Sequence, residues 1–209
     1  MKKRLLLFRH GETDFNREHR FQGHFDVPLN DEGRRQAARL TEPLRRLGCQ
    51  EILSSDLSRA TETAQIAGGP LGIRVVRTKG LREAFLGEAQ GLTVEEIEAR
   101  YGSTLVSRWK SPYTSDADVS YPGGETGSQV LERVLRSLGE HLQTTRAQCI
   151  GISTHGGVIR RTVRSLLPVL PGQEAAPIPI PNGILYTLQW DRHSEKLTLI
   201  PYSIFKGEF

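Results

Sequence analysis

Two short apolar runs, far apart in the chain, each break off at a histidine followed by glycine. Leu5–Phe8 gives way to Arg9-His10-Gly11, and Cys149, Ile150 and Ile152 give way to Ser153-Thr154-His155-Gly156-Gly157. Apolar runs this short read as strands buried on both faces, the kind found in parallel sheets covered by helices. In such sheets ligands gather beyond the carboxyl ends of the strands, so His10 and His155 are delivered to one rim despite their separation.

The segments between them keep the same rhythm. Asn30 or Asp31 caps a helical pattern with Ala37, Leu40, Leu44 and Leu47 on one face, stopped by Gly48. Ile52-Leu53 is a second strand, Asp56 opens a helix carrying Ala60, Ala64 and Ala67 as far as the Gly68–Pro70 break, and Ile73–Val76 is a third strand. Thr93 and Glu96 make a capping box for a helix to about Tyr101, and Leu105–Trp109 sits in another. Ser111–Gly124, with Pro112, Pro122 and Gly123-Gly124, is a loop, followed by a long helix striped by Val130, Val134 and Leu138. Gly156-Gly157 opens a helix to about Leu167, where Pro168 stops it, and the prolines between Pro171 and Pro181 exclude a regular element. Ile184–Trp190 and Leu197–Tyr202 alternate as a closing hairpin. Strands alternating with helices give an α/β layered domain with a largely parallel sheet. We read one domain over 1–209, with a cap-like insertion at about 80–124 covering a site.

Composition excludes several classes. Lys+Arg 28 against Asp+Glu 24 leaves a net charge of +4, and acids are interleaved with the bases throughout, unlike a nucleic-acid binder. No apolar run approaches the ~20 residues of a membrane helix. Arg9 ends the first run too soon for a secretory core, and Cys49 and Cys149 form neither a disulfide framework nor a metal-binding pair, so the expected compartment is the cytoplasm. Arginine supplies 22 of the 28 bases, and its planar fork suits phosphate and carboxylate.

An imidazole beside a guanidinium, at a strand end, is an unusual choice for a core. Arg9 and Arg59 together would keep His10 neutral, the form in which an imidazole attacks phosphorus. Arg59 falls on the first turn of the helix after the second strand, where free backbone N–H groups attract anions, and its alternative is a surface ion pair with Glu62. His19, His24, His141 and His193 have no metal-binding partner one turn away, so no metal site is expected.

Taken together these motifs resemble the histidine phosphatase superfamily, the phosphoglycerate-mutase-like proteins, nearly end to end. Arg9-His10-Gly11 fits the signature tripeptide, Asn16 and Gln22-Gly23 the phosphate loop, and Pro28-Leu29 with Gly33 the lead-in to the first helix. Ser55–Ala64 fits the arginine motif, Leu81-Arg82-Glu83 the acid motif and His155-Gly156-Gly157 the second-histidine motif. The resemblance implies a three-layer αβα sandwich whose mostly parallel central sheet has an antiparallel edge. It also implies a phosphohistidine on His10, with Arg9, Arg59 and His155 holding the phosphoryl oxygens and Glu83 as proton donor. Asn16, Gln22, Gly23 and Gly156 are the expected substrate-binding residues, without a cofactor. Glu125 either reaches the surroundings of the second histidine or caps a helix dipole.

Departures from the family pattern separate hydrolysis from mutase chemistry. Where mutases of this family carry a tyrosine, a lysine and an arginine pair to hold a second anionic group, this chain has Leu86, Val94 and Lys110-Ser111. Phe21, Phe25, Phe85 and Leu86 make the surroundings more apolar. The expectation is a phosphatase of small phosphorylated metabolites, the alternatives being a cofactor-dependent phosphoglycerate mutase or a noncatalytic phosphate-ligand binder. Arg20, Arg82 and Lys110 could recognise a substrate carboxylate, and the last hairpin with the Pro171–Pro181 stretch could form a homodimer contact.

Overall fold

The computed structural model describes residues 2–110, 118–167 and 178–200. Ser111, Pro112, Pro168, Pro171 and Tyr202, and the side chain of Lys110, lie outside the described residues. Among the described residues six strands form one sheet: β1 (Lys2–Arg9), β2 (Glu51–Ser55), β3 (Arg74–Thr78), β4 (Cys149–Thr154), β5 (Leu185–Asp191) and β6 (Lys196–Leu199). Their order is β3-β2-β4-β1-β5-β6. Pairing is parallel from β3 through β1, and antiparallel between β1 and β5 and between β5 and β6. The mostly parallel sheet with an antiparallel edge is therefore present.

Successive side chains of a strand point to opposite faces, and β1 is apolar on both. Leu5 and Leu7 join Ile150, Ile152, Val134, Leu138 and Val158 on one side, whereas Leu6 and Phe8 join Leu40, Leu44, Ala64 and Ala67 on the other. Each fully buried leucine contributes about 1.5–3 kcal/mol, so strand and helices hold each other in place. After a single helical turn, α1 (Asp14–Arg17), the second face is covered by α2 (Asp31–Arg39), α3 (Thr41–Arg46) and α4 (Ser58–Gly68). The first face is covered by α5 (Val94–Tyr101), α6 (Ser103–Lys110), α7 (Gly127–Thr144) and α8 (Gly156–Ser165). Three layers result. Among the described residues no helix is long and apolar enough to cross a membrane.

Local signals explain most boundaries. Asn30 caps α2 by accepting from the Gly33 amide, and Thr93 and Thr126 each close a capping box, with Glu96 and Gln129. Two expectations need correction. The helical pattern from Asp31 to Leu47 is two helices, because Pro43 has no N–H to give the Arg39 carbonyl and the chain turns at Leu40. Asp56 does not open α4, which starts at Ser58 after Leu57; its carboxylate instead takes both Nε and Nη2 of Arg82, at 2.7 Å each.

Gly11 makes room for α2: a Cβ on it would collide with the Gly33 carbonyl, and one on Gly33 with the Glu12 carbonyl. The loop after β1 is thus pressed backbone to backbone against the first turn of α2. Gly33→Ala should lower the unfolding free energy by about 1–3 kcal/mol, as overpacking does, read from the urea midpoint. An unchanged midpoint would show that the two segments do not bear on each other.

Candidate active site

The connections after β1 and β4 leave for opposite faces of the sheet, so the crevice between these two neighbours is a topological switch point. Arg9 is opposite Thr154 in the ladder, and the His10 amide donates to the Thr154 carbonyl at 3.0 Å. One residue further on, the two imidazoles meet, with ring centroids 5.1 Å apart and planes inclined at 60°. Both are buried, at 3% and 0% exposure. A cavity of about 400 Å³ opens above them. Arg9, His10, Asn16, Gln22, Gly23, Arg59, Glu83 and Gly156 all reach its wall, while His155 lies just behind, against the His10 ring. The structure therefore brings together the residues expected around the phosphate position.

His10 is arranged as a nucleophile would be. Its Nδ1 is 2.6 Å from the Gly11 carbonyl, so in the neutral ring Nδ1 carries the proton and Nε2 the lone pair. Burial, then the charges of Arg59 and Arg9, hold its pKa well below the usual histidine value. The sequence pointed to the arginines, but desolvation is the larger cause. His155 is depressed in the same way, by burial and then Arg59. The Ser55 hydroxyl lies 2.9 Å from its Nε2, and among the described residues its buried Nδ1 has no partner.

Arg59 is wholly buried and is held by carbonyls rather than carboxylates: Nη1 donates to Phe25 at 2.8 Å and Nη2 to Gly23 at 2.9 Å. The expected competitor Glu62 pairs instead with Arg34, at 2.7 Å. Arg9 donates through Nη1 to the Ile180 carbonyl at 2.5 Å. In both arginines, among the described residues, the buried Nε has no acceptor. Burial pushes both guanidiniums down to about 10, opposed chiefly by the charge of Glu83. Two buried cations with donors to spare fit an anion.

Glu83 faces them from the other side. Its carboxylate accepts from the Ala84 amide and from the Gly157 amide, both at 2.9 Å, and a Cβ on Gly157 would strike it. The backbone beneath is clamped. The Glu83 carbonyl accepts from His24 Nε2 and Arg133 Nη2, each at 2.8 Å, and Arg133 Nη1 donates to the carbonyls of Gly80 and Arg82. Glu125 grips Arg133 at 2.7 and 2.8 Å and accepts from the Phe85 amide. Glu125 thus secures the arginine that secures the Glu83 loop, and Thr126 rather than Glu125 caps α7. Asn16 takes the Thr13 amide and Asn182 Nδ2 on its carbonyl oxygen, leaving its own NH₂ to donate.

Four polar wall residues escaped the sequence reading: His19, Arg160, Arg161 and Asn182. Arg160 and Arg161 stand in α8, whose first turn carries Gly156 and Gly157, so the second-histidine motif itself could have pointed to them. Asn182 arrives from the proline-rich stretch, and its Nδ2 bonds the His10 carbonyl at 2.9 Å. Arg82 is consumed by Asp56, and Arg20 is tied to the Gly91 carbonyl, Glu18 and Glu96. Phe25 and Phe85 are exposed rather than part of the wall, whereas Phe21, Leu86, Val94 and Trp109 line it.

Two outcomes are expected. Arg133→Met strands three carbonyls and the Glu125 carboxylate and should cost about 2–4 kcal/mol in chemical denaturation; an effect below 0.5 kcal/mol, roughly the surface range, would contradict the clamp. Because the folded state depresses His10, His155 and, more weakly, His24, the unfolded chain binds more protons below its own histidine pKa of ~6.5. Stability should therefore fall as pH drops below ~6.5, by up to about 1.4 kcal/mol per pH unit for each histidine. His10→Asn should make that slope visibly shallower in urea titrations run between pH 7 and 5.

Comparison with known proteins agrees with the geometry. Residues 5–201 match the family model of the histidine phosphatase superfamily (branch 1). Phosphoglycerate mutase-like protein 4 of Arabidopsis thaliana is 38% identical over 159 residues, covering 75% of this chain and 67% of its own. A 2,3-bisphosphoglycerate-dependent phosphoglycerate mutase of Mesorhizobium japonicum is 29% identical over 202 residues, 91% of this chain and 95% of its own. The structure of mycobacterial glucosyl-3-phosphoglycerate phosphatase in complex with VO3 superimposes with a TM-score of 0.76 at 32% identity, covering 95% of this chain and 97% of that one. With nearly its whole length matched, the chain belongs to the histidine phosphatase superfamily.

Proposed function

We propose that the chain hydrolyses phosphate monoesters of small cytoplasmic metabolites, without a metal, through a phosphohistidine on His10. The observation that carries this reading is the pair of guanidiniums, Arg9 and Arg59, whose buried Nε atoms have no partner among the described residues, beside an imidazole whose Nδ1 is held by the Gly11 carbonyl. Nε2 of His10 attacks phosphorus as the ester P–O bond breaks, and Glu83 gives its carboxyl proton to the departing oxygen. Arg9, Arg59 and the Nδ1 proton of His155 meet the charge on the phosphoryl oxygens, aided by the amide of Asn16. Glu83 then takes a proton from water, whose oxygen displaces the histidine nitrogen and releases inorganic phosphate. Gln22, Gly23 and Gly156 complete the wall.

Hydrolysis is favoured over mutase chemistry by what replaces the second-anion handles. Leu86 and Val94 present hydrocarbon to the cavity, and Trp109 stands with them. A mutase has to retain a bisphosphorylated intermediate away from water, which such a wall does not grip. The mycobacterial relative solved with VO3 is named a phosphatase, which supports the same branch.

Release of phosphate from p-nitrophenyl phosphate is the direct test. Activity should survive EDTA and be inhibited by vanadate, disappear in His10→Ala, and fall about 10²–10³-fold in kcat in Arg59→Met. A strict metal requirement would sink the mechanism, and interconversion of 2- and 3-phosphoglycerate outpacing phosphate release would assign the mutase reaction instead.

A further inference from the structure

The backbone that carries His10 is held from the antiparallel side of the sheet. β5 pairs with β1 as far as Leu185 opposite Phe8, and the residues just before it, 181–184, form a turn closed by the Ile184 amide on the Pro181 carbonyl. Gly183 takes the left-handed conformation in that turn, with φ of +75°. The Arg9 amide donates to the Ile184 carbonyl at 3.1 Å and the Gly183 amide to the Arg9 carbonyl at 3.3 Å, so the turn grips the residue before His10 from both sides. The Asn182 side chain reaches one residue further. Its Nδ2 donates to the His10 carbonyl at 2.9 Å and to Asn16 Oδ1 at 3.3 Å. Both protons of one amide group are thereby spent, one on the backbone of the nucleophile and one on the loop of Asn16.

We propose that Asn182 is a positioning residue of the reaction: it fixes His10 Nε2 and the Asn16 amide relative to each other, so that both meet the same phosphoryl group. The inference rests on reading the cavity as a phosphomonoester site. Asn182 stands on the cavity wall, yet its donors are turned away from the cavity toward protein acceptors, so they serve geometry rather than substrate. The Asn16 segment needs such a tie. α1 is a single turn with no buried residue, and the other donors to Asn16 Oδ1, the amide and hydroxyl of Thr13 at 3.2 Å each, belong to the same loop. Asn182 instead is joined directly to β5, where Leu185, Tyr186 and Leu188 are buried, and so anchors the loop to the sheet. In-line attack is sensitive to such placement, since a displacement of about 1 Å costs roughly 10² in rate.

Vanadate and inorganic phosphate separate positioning from mere packing. Vanadate completes a five-coordinate centre only with a nucleophile in line, whereas phosphate needs hydrogen-bond donors alone. Calorimetry measures both affinities on the full chain with Asn182 intact, as Asn182→Ala and as Asn182→Leu, which keeps the shape without the donors. Each variant should lose vanadate affinity about tenfold and phosphate affinity less than about threefold, and kcat on p-nitrophenyl phosphate should fall about tenfold with little change in KM. A loss confined to Asn182→Ala would show packing rather than donation and overturns the proposal. So does a lowered urea midpoint with the ratio of the two affinities unmoved. Turnover by the chain with Asn182 intact tests the hydrolytic reading separately. If the vanadate preference depends on Asn182 and no phosphate is released, the positioning role stands and the phosphatase assignment falls.

Discussion

Everything in this molecule hangs on the pairing of β1 with β4. Both strands are apolar on both faces, so they are driven to the middle of the sheet, where helices cover them on each side. Parallel pairing then puts their carboxyl ends together, and the register that sets Arg9 opposite Thr154 fixes the two imidazoles in contact. A slip of one residue would turn Leu5 and Leu7 toward the helices meant for Leu6 and Phe8 and would separate the histidines. Core packing and site geometry are thus enforced by the same hydrogen-bonded ladder.

The cost of the site is electrostatic. Arg59 is withdrawn from water completely and is compensated by backbone dipoles at Gly23 and Phe25 rather than by a counter-ion of its own. Carbonyls satisfy its terminal nitrogens without neutralising its charge, so the attraction for an incoming anion is kept. The glycine at position 23 takes part in this: its φ of +54° turns the carbonyl toward Arg59, and a side chain there would run into Gln90. On the opposite side a second arginine, Arg133, works by the reverse logic, being neutralised by Glu125 so that it can bind three carbonyls without adding charge near Glu83.

Much of this was legible in the sequence, for identifiable reasons. Strand ends followed by His-Gly, helix caps such as Thr93 and the arginine one turn into α4 are local features, and local features survive into the fold. What escaped depends on partners distant in the chain. Asp56 looks like a helix opener until Arg82, twenty-six positions on, claims it. Glu125 had two plausible duties and took a third because Arg133 emerges from α7 beneath the Glu83 loop. Asn182 carries no motif of its own; only the cavity wall reveals it.

The central pairing also sets a timetable. His10 is made among the first ten residues, whereas β4 and His155 come from the last third of the chain. A chain emerging from the ribosome therefore carries His10, Arg59 and Glu83 through much of its synthesis without the second histidine. The two histidines meet only when β4 inserts between β2 and β1, the same step that joins the two halves of the sheet.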